Sequence, residues 1–221
     1  MATPSLIITA DGSHSLLNVQ MNETYHSVHG AIRESRHVFI REGLAYWFGQ
    51  NAGRVSVLEV GFGTGLNALL SLEASQAGNR AIHYETLEAY PLRKEIYEQL
   101  NYGEKVLGKD ALNQLHQSSW GTVHNLTNLF SFVKHEVRLE DYLVARNSYD
   151  VIYYDAFAPS RQPDMWVLPM LEKVVSGLRP SGVFVTYCAK GQLKRDLRNL
   201  GLRVETLPGP PGKKEMVRAV L

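Results

Sequence analysis

From residue 54 onward the chain alternates short apolar runs with stretches whose apolar positions recur at helical spacing. "RVSVLEVG" (54–61) is β-branched and apolar, which predicts a strand. "TGLNALLSLEASQAG" (64–78) has helical spacing and closes on Gly78, a residue suited to a carboxy-terminal cap. "AIHYETLE" (81–88) reads as a second strand, and Pro91 is expected to open the helix "PLRKEIYEQLN", where its missing N–H does no harm. A helical segment follows at 109–120, then strands at 132–140 and 149–157, a helix at 165–178 and a strand at 181–189. "GQLKRDLRNLG" gives a last helix, and "LRVETL" and "EMVRAVL" two last strands. "PGPPGKK" between these strands is too short for a crossover helix, so they should pair antiparallel. The pattern predicts an α/β fold: a doubly wound, mostly parallel, seven-stranded Rossmann-like sheet with an antiparallel last strand.

Residues 1–53 depart from this rhythm. "SLIITADGSHSLLN" predicts a hairpin turning at Asp11-Gly12, and 31–48 an amphipathic helix. The expected organisation is an amino-terminal extension over 1–53 packed on a single domain over 54–221.

Composition narrows the possibilities. A length of 221 residues with 44% hydrophobic content suits one large domain. The amino terminus has neither a basic region nor a long apolar stretch, and no apolar run nears the roughly 18 residues of a membrane span, so a cytoplasmic protein is expected. Cys188 is the only cysteine, which excludes an internal disulfide and a zinc site built on several thiolates. A net charge of +1 gives no global basic field. Positive charge gathers locally in "KGQLKRDLR" (190–198), at Arg203 and in "GKK" (212–214). A solvated helix face and a phosphate-facing patch both account for such clusters, and composition does not choose between them.

"LEVGFGTGLN" (58–67) joins the first strand to the first helix, with Gly61, Gly63 and Gly65 letting the chain turn tightly and a ligand approach its backbone. The spacing differs from the dinucleotide fingerprint G-x-G-x-x-G, and Glu59 precedes the loop. A carboxylate there repels a diphosphate and suits a cationic ligand. Glu88 ends the second strand, where such folds hold ribose hydroxyls. A cationic, ribose-bearing ligand without phosphate is S-adenosylmethionine. Either Glu140 or Asp141, read as ending the third strand, is expected near the adenine amine. A tight turn and surface acids are the plainer alternative.

In open parallel sheets the ligand lies beyond the carboxy ends of the strands, which puts Asp155 beside the cofactor. Phe157 and Pro159 are then expected to shape a wall that Trp166 closes, with an aromatic surface on which a base could stack. Methyl transfer is an in-line displacement in which the enzyme mainly positions its reactants. Asp155 can accept a hydrogen bond from an amine substrate, orient its lone pair and take the proton it loses, with no metal required.

The segments "LEVGFGTGLNALL", "YETLEAYPL", "YYDAFAPSRQPDMW" and "LPGPPGKKEMVRAV", in matching order, resemble the methyltransferase domain of the tRNA 5-methylaminomethyl-2-thiouridine biosynthesis family, MnmC, and its stand-alone form, MnmD. "GAIRESRHVF" is similar to that family's amino-terminal motif. The resemblance implies a class I methyltransferase that converts 5-aminomethyl-(2-thio)uridine at the tRNA wobble position to its methylaminomethyl form. It implies cofactor contacts from Glu59, Gly61, Gly63, Gly65 and Glu88, to which Phe62, Thr64 and Asn67 of the same loop and first helical turn are added. It also implies that Asp155 and Phe157 face the modified base, with Glu34 and Ser35 near the same pocket. Lys190, Lys213 and Lys214 are expected to serve the tRNA phosphates. No flavin-dependent oxidase domain is expected in this chain, so aminomethyl-uridine must come from a separate source. Aminopropyltransferases share the fold, the glycine loop and the amine nucleophile, and remain the alternative. A non-catalytic RNA-binding module is a second rival, against which Glu59, Glu88 and Asp155 all speak.

Overall fold

Alternation in "VSVLEV" sends Val55 and Val57 to one face of a strand and Leu58 and Val60 to the other, and all four are buried. That strand is the middle of the main sheet. The computed structural model describes residues 3–221; Met1 and Ala2, at the start of the expected extension, lie outside the described residues. Strands β1 (Ser5–Ile8), β2 (His14–Asn18) and β3 (Glu23–Thr24) form a small antiparallel sheet. The main sheet holds β4 (Val55–Val60), β5 (Ile82–Glu88), β6 (His124–Thr127), β7 (Phe130–Glu136), β8 (Tyr149–Tyr154), β9 (Leu178–Thr186), β10 (Arg203–Pro208) and β11 (Glu215–Val220). Its order is β10-β11-β9-β8-β4-β5-β7-β6. The five strands from β9 to β7 are mutually parallel, whereas β11 runs antiparallel to β9, and β6 antiparallel to β7.

The chain winds outward from β4 through β5 to β7, then returns to the other side of β4 as β8. This reversal opens a crevice beyond the carboxy ends of β4 and β8, where doubly wound folds bind ligands. One face of the sheet is covered by the helices 31–48, Leu66–Gly78 and Lys109–Gln117, the other by Leu168–Val175 and Gly191–Asn199. Among the described residues no helix is long and apolar enough to cross a membrane.

The sheet has eight strands rather than seven. The extra strand, β6, pairs with β7 through a bulge at Asn125/Thr127 and carries half-buried and exposed side chains, so it lacks the apolar run of a central strand. The third parallel strand spans Phe130–Glu136, not 132–140. The helix expected from Pro91 starts at Lys94, because Glu88 Oε1 accepts the N–H of Tyr90 and the chain runs on extended through Arg93. Gly78 is the last helical residue, and Asn79, at φ +48°, takes the left-handed cap.

The amino-terminal hairpin turns at Asp11-Gly12, with Gly12 at φ +75°. Asp11 Oδ1 accepts from Ser13 N–H while Oδ2 accepts from Arg33 N–H, so the turn also caps the helix 31–48. That helix winds as a wider π-helix over Arg36–Ala45. Gly43 presses it onto the sheet: a Cβ there would lie 2.9 Å from Val185 Cγ2.

Candidate active site

The three loop glycines all have positive φ: +101° at Gly61, +49° at Gly63 and +75° at Gly65. A Cβ on Gly61 would meet the Asp155 carbonyl oxygen at 2.7 Å, so the glycine loop and the β8 exit are packed backbone to backbone. Asp155 N–H donates to Val60 O, and the N–H groups of Gly61 and Phe62 both donate to Leu87 O. The helix Leu66–Gly78 begins at Gly65 without a side-chain cap, and its first residues are buried.

A cleft of about 1210 Å³ opens over this loop. That exceeds the volume of most small-molecule sites, roughly 300–1,000 Å³, and leaves room for two reactants. Gly61, Phe62, Gly63, Thr64, Glu88 and Asp155 line it. Glu88 Oε2 accepts from Gly63 N–H at 2.8 Å and Oε1 from Tyr90 N–H at 2.8 Å. These bonds fix the carboxyl and leave lone pairs over. Its pKa is nevertheless raised, by burial.

Asp155 follows the last residue of β8, and its Oδ2 accepts from Asn67 Nδ2 at 2.8 Å. Burial first and the Glu34 carboxylate second push it up to about 7, against the lowering effects of Asn67 and Lys213. Glu34 reaches the cleft from the helix 31–48, its Oε2 accepting from Ser27 N–H at 2.7 Å. Its Oε1 pairs with Lys213 Nζ at 2.6 Å, and that ammonium lies 3.7 Å over the Tyr187 ring. Phe157 meets Tyr25 edge-on, with 5.0 Å between ring centroids, and the two close one wall.

Several expected contacts are placed elsewhere. Glu59 does not line the cleft: it is fully buried beneath the loop, with Oε2 accepting from Thr86 Oγ1 at 2.7 Å. Burial raises it to about 8, which favours its neutral form. Asn67 and Gly65 also lie under the cleft floor, and Asn67 faces Asp155. Ser35 is buried outside the cleft. Trp166 sits behind the wall, stacked edge-on against Tyr154, and braces it by donating from Nε1 to Phe157 O at 2.8 Å. Pro159 is likewise outside the lining, where Gln162 and Pro163 stand instead. Since β7 stops at Glu136, Glu140 and Asp141 fall in the following turn. Glu140 reaches the cleft rim, paired with Arg138, and Asp141 faces a separate shallow hollow. Lys213 lines the cleft, whereas Lys190 and Lys214 are exposed outside it.

Tyr25, His26 and Tyr187 were not anticipated. His26 Nε2 lies 2.7 Å from Thr64 Oγ1, and burial holds its ring down at about 4, hence neutral. Tyr187 follows β9 directly, so the strand-end rule that found Asp155 would have found it too. "ETYHS" carries no periodic signal that would have placed Tyr25 or His26.

Residues 113–221 match the family described as S-adenosyl-L-methionine-dependent methyltransferase. The chain is 30% identical over 211 residues to the tRNA 5-methylaminomethyl-2-thiouridine biosynthesis bifunctional protein MnmC of Cupriavidus necator, covering 90% of this chain and 32% of that protein. The protein of the same name from Campylobacter hominis is 29% identical over 213 residues, covering 92% and 31%. The chain thus spans about a third of the length of the curated relatives it matches. The crystal structure of MNMC2 from Aquifex aeolicus superposes with a TM-score of 0.81 at 22% identity, covering 99% of this chain and 70% of that one. The class I methyltransferase fold accounts for the sheet order and the place of the cleft. A positive-φ glycine loop and acids on the cleft wall fit S-adenosylmethionine.

Proposed function

We propose that the chain is an S-adenosyl-L-methionine-dependent methyltransferase, the family its residues 113–221 match, and that it methylates the aminomethyl nitrogen of 5-aminomethyl-(2-thio)uridine at the tRNA wobble position, giving 5-methylaminomethyl-(2-thio)uridine. The observation that carries this reading is Asp155: a carboxyl on the cleft wall, beside the glycine loop and two residues before Phe157, which pairs with Tyr25. The nucleoside is the one for which the MnmC relatives are named.

When bound, S-adenosylmethionine supplies an electrophilic methyl group on a sulfonium. The backbone at Gly61 and Gly63 would let it approach, Glu88 would accept from its ribose hydroxyls, and Glu140, which lines the cleft as Asp141 does not, would serve its base. Asp155, ionised above about pH 7, accepts a hydrogen bond from the substrate amine, aims the nitrogen lone pair and takes the proton released after attack. Phe157 and Tyr25 flank the base, and Lys213, held by Glu34, faces the same space. Lys190 and Lys214, exposed outside the cleft, suit phosphates of the bound tRNA. The substrate has to arrive already aminomethylated, from a reaction such as oxidative loss of a carboxymethyl group.

The test is mass spectrometry of wobble nucleosides after incubating the protein and S-adenosylmethionine with tRNA from cells lacking this methylation. The aminomethyl nucleoside should be replaced by its methylated form. An unchanged nucleoside, or instead aminopropyl transfer to putrescine from the decarboxylated donor, would overturn the reading.

A further inference from the structure

Gln162 lines the cleft beside Phe157. A tight turn places it there: the N–H groups of Arg161 and Gln162 both donate to Ala158 O, at 2.7 and 2.9 Å, and bring the chain back toward Phe157. Phe157 N–H then donates to Gln162 Oε1 at 3.2 Å, while Trp166 Nε1 donates to Phe157 O at 2.8 Å. A backbone N–H can only donate, so the amide oxygen must be the atom on Phe157 and Nε2 the atom turned away from it. Among the described residues Nε2 finds no hydrogen-bond partner, and it is not sealed from solvent. The other donors nearby are committed. Tyr187 Oη donates to Ala156 O at 2.8 Å, Lys213 Nζ is paired with Glu34, and Arg161 Nε is paired with Glu23.

We propose that Gln162 is a specificity-determining residue whose Nε2 donates to the C4 carbonyl of the target base, so that the cleft accepts a uracil and rejects a cytosine. The inference rests on the wobble-uridine reading above and names the group that recognises the base. Asp155 is assigned the amine on the C5 substituent, and Phe157, which holds the amide, follows two residues later, a span of at most roughly 7 Å. Of the two ring acceptors of a uracil, the C4 carbonyl adjoins the carbon that bears the aminomethyl group, whereas the oxygen or sulfur on C2 lies across the ring. A donor this close to Asp155 therefore meets position 4. Uracil presents an acceptor there and cytosine an amino donor, so Nε2 pairs with the first and opposes the second. A site built to hydrogen-bond its substrate rejects a base that leaves this donor unmet more strongly than shape alone would.

Gln162→Glu is the discriminating variant: a carboxylate oxygen still accepts from Phe157 N–H, but the atom facing the base becomes an acceptor. The substrates are synthetic anticodon stem-loops with 5-aminomethyl-uridine, its 2-thio form or 5-aminomethyl-cytidine at the wobble position. They are assayed with saturating S-adenosylmethionine at about pH 8, where a carboxylate is ionised. The parent should prefer uridine to cytidine, and Gln162→Glu should lower that ratio of kcat/KM about ten- to a hundredfold. The amine is the same in both substrates, so any effect of the new charge on Asp155 cancels in the ratio. The ratio of 2-thio to 2-oxo uridine should not move. If Gln162 only ties down the turn, Gln162→Glu will discriminate as the parent does and Gln162→Leu will slow both nucleosides alike. That result overturns the proposal, as does a changed 2-thio ratio, which would put the amide at position 2. A second measurement needs no turnover. The Gln162 side-chain NH2 signals in nitrogen-15 NMR, identified by their loss in Gln162→Glu, should shift when the uridine stem-loop binds and not with the cytidine one; unmoved signals in the bound state refute the contact. If the parent methylates none of these stem-loops, the proposed reaction is wrong, and the NMR shifts still decide whether Gln162 reads the base.

Discussion

Replacing Glu59 by Gln should make the donor-free protein less sensitive to pH. In the unfolded chain the carboxyl ionises near 4.5, and in the folded protein burial raises it to about 8. Between these values the native state holds a proton that the unfolded state has lost. Stability therefore falls as pH rises through this window and levels off above the folded value. With 1.36 kcal/mol per pH unit, the loss between about pH 5 and pH 7 comes to about 2–3 kcal/mol. This is an upper figure, because any local relaxation reduces it. Gln cannot titrate and keeps the shape of the carboxyl. Asp155, also raised, contributes in the same direction to both proteins and largely cancels in the comparison. Urea unfolding at the two pH values measures the difference: at about 1–3 kcal/mol per M, the parent midpoint should fall by roughly 1 M more than that of the variant. Parallel pH dependences would mean that Glu59 is ionised in the native state.

Asp155→Asn should lower methyl transfer by about 10²-fold or more, the usual worth of a general base, with donor affinity by calorimetry little changed. Equal loss of both would mean that this side chain serves binding. In the parent protein kcat/KM should rise with pH along an acid limb centred near 7, as Asp155 gives up its proton; a flat profile from about pH 5.5 to 8 refutes its role. Gly61→Ala puts a Cβ 2.7 Å from the Asp155 carbonyl oxygen at φ +101°, and neither backbone can yield without opening the crevice. It should destabilise the fold by more than about 1 kcal/mol and abolish donor binding, both read by thermal shift with and without the donor. Tyr25→Ala removes the edge-on partner of Phe157 and should raise KM for tRNA several-fold with kcat nearly intact.

The parallel core was legible because its strands are buried on both faces and carry continuous apolar runs, as in "VSVLEV" and "YDVIYY". Asp155 and Glu88 were legible for a topological reason: residues just past parallel strands face the crevice whatever their neighbours. The depth of a side chain was not. Glu59 and Glu88 both flank the glycine loop, yet one lies under the floor and the other in the wall, because strand alternation points Glu59 into the helix-covered core. Trp166 shows the same limit, its aromatic bulk serving as a brace behind Phe157. β6 escaped because an edge strand of four residues with mixed polarity has no clear period. The contributions of Tyr25 and His26 depend on how the small amino-terminal sheet docks, which no local pattern encodes.

The ion pair between Glu34 and Lys213 joins positions 179 residues apart. A contact of such long sequence range forms late, after shorter-range pairings have paid its entropy of closure. During synthesis the central strands can assemble while the Lys213 loop is still inside the ribosome, so a half-made molecule would have a sheet and a glycine loop but an unfinished chamber. Competence to handle substrate should thus follow formation of the central sheet, after the backbone there has acquired its protection from proteases.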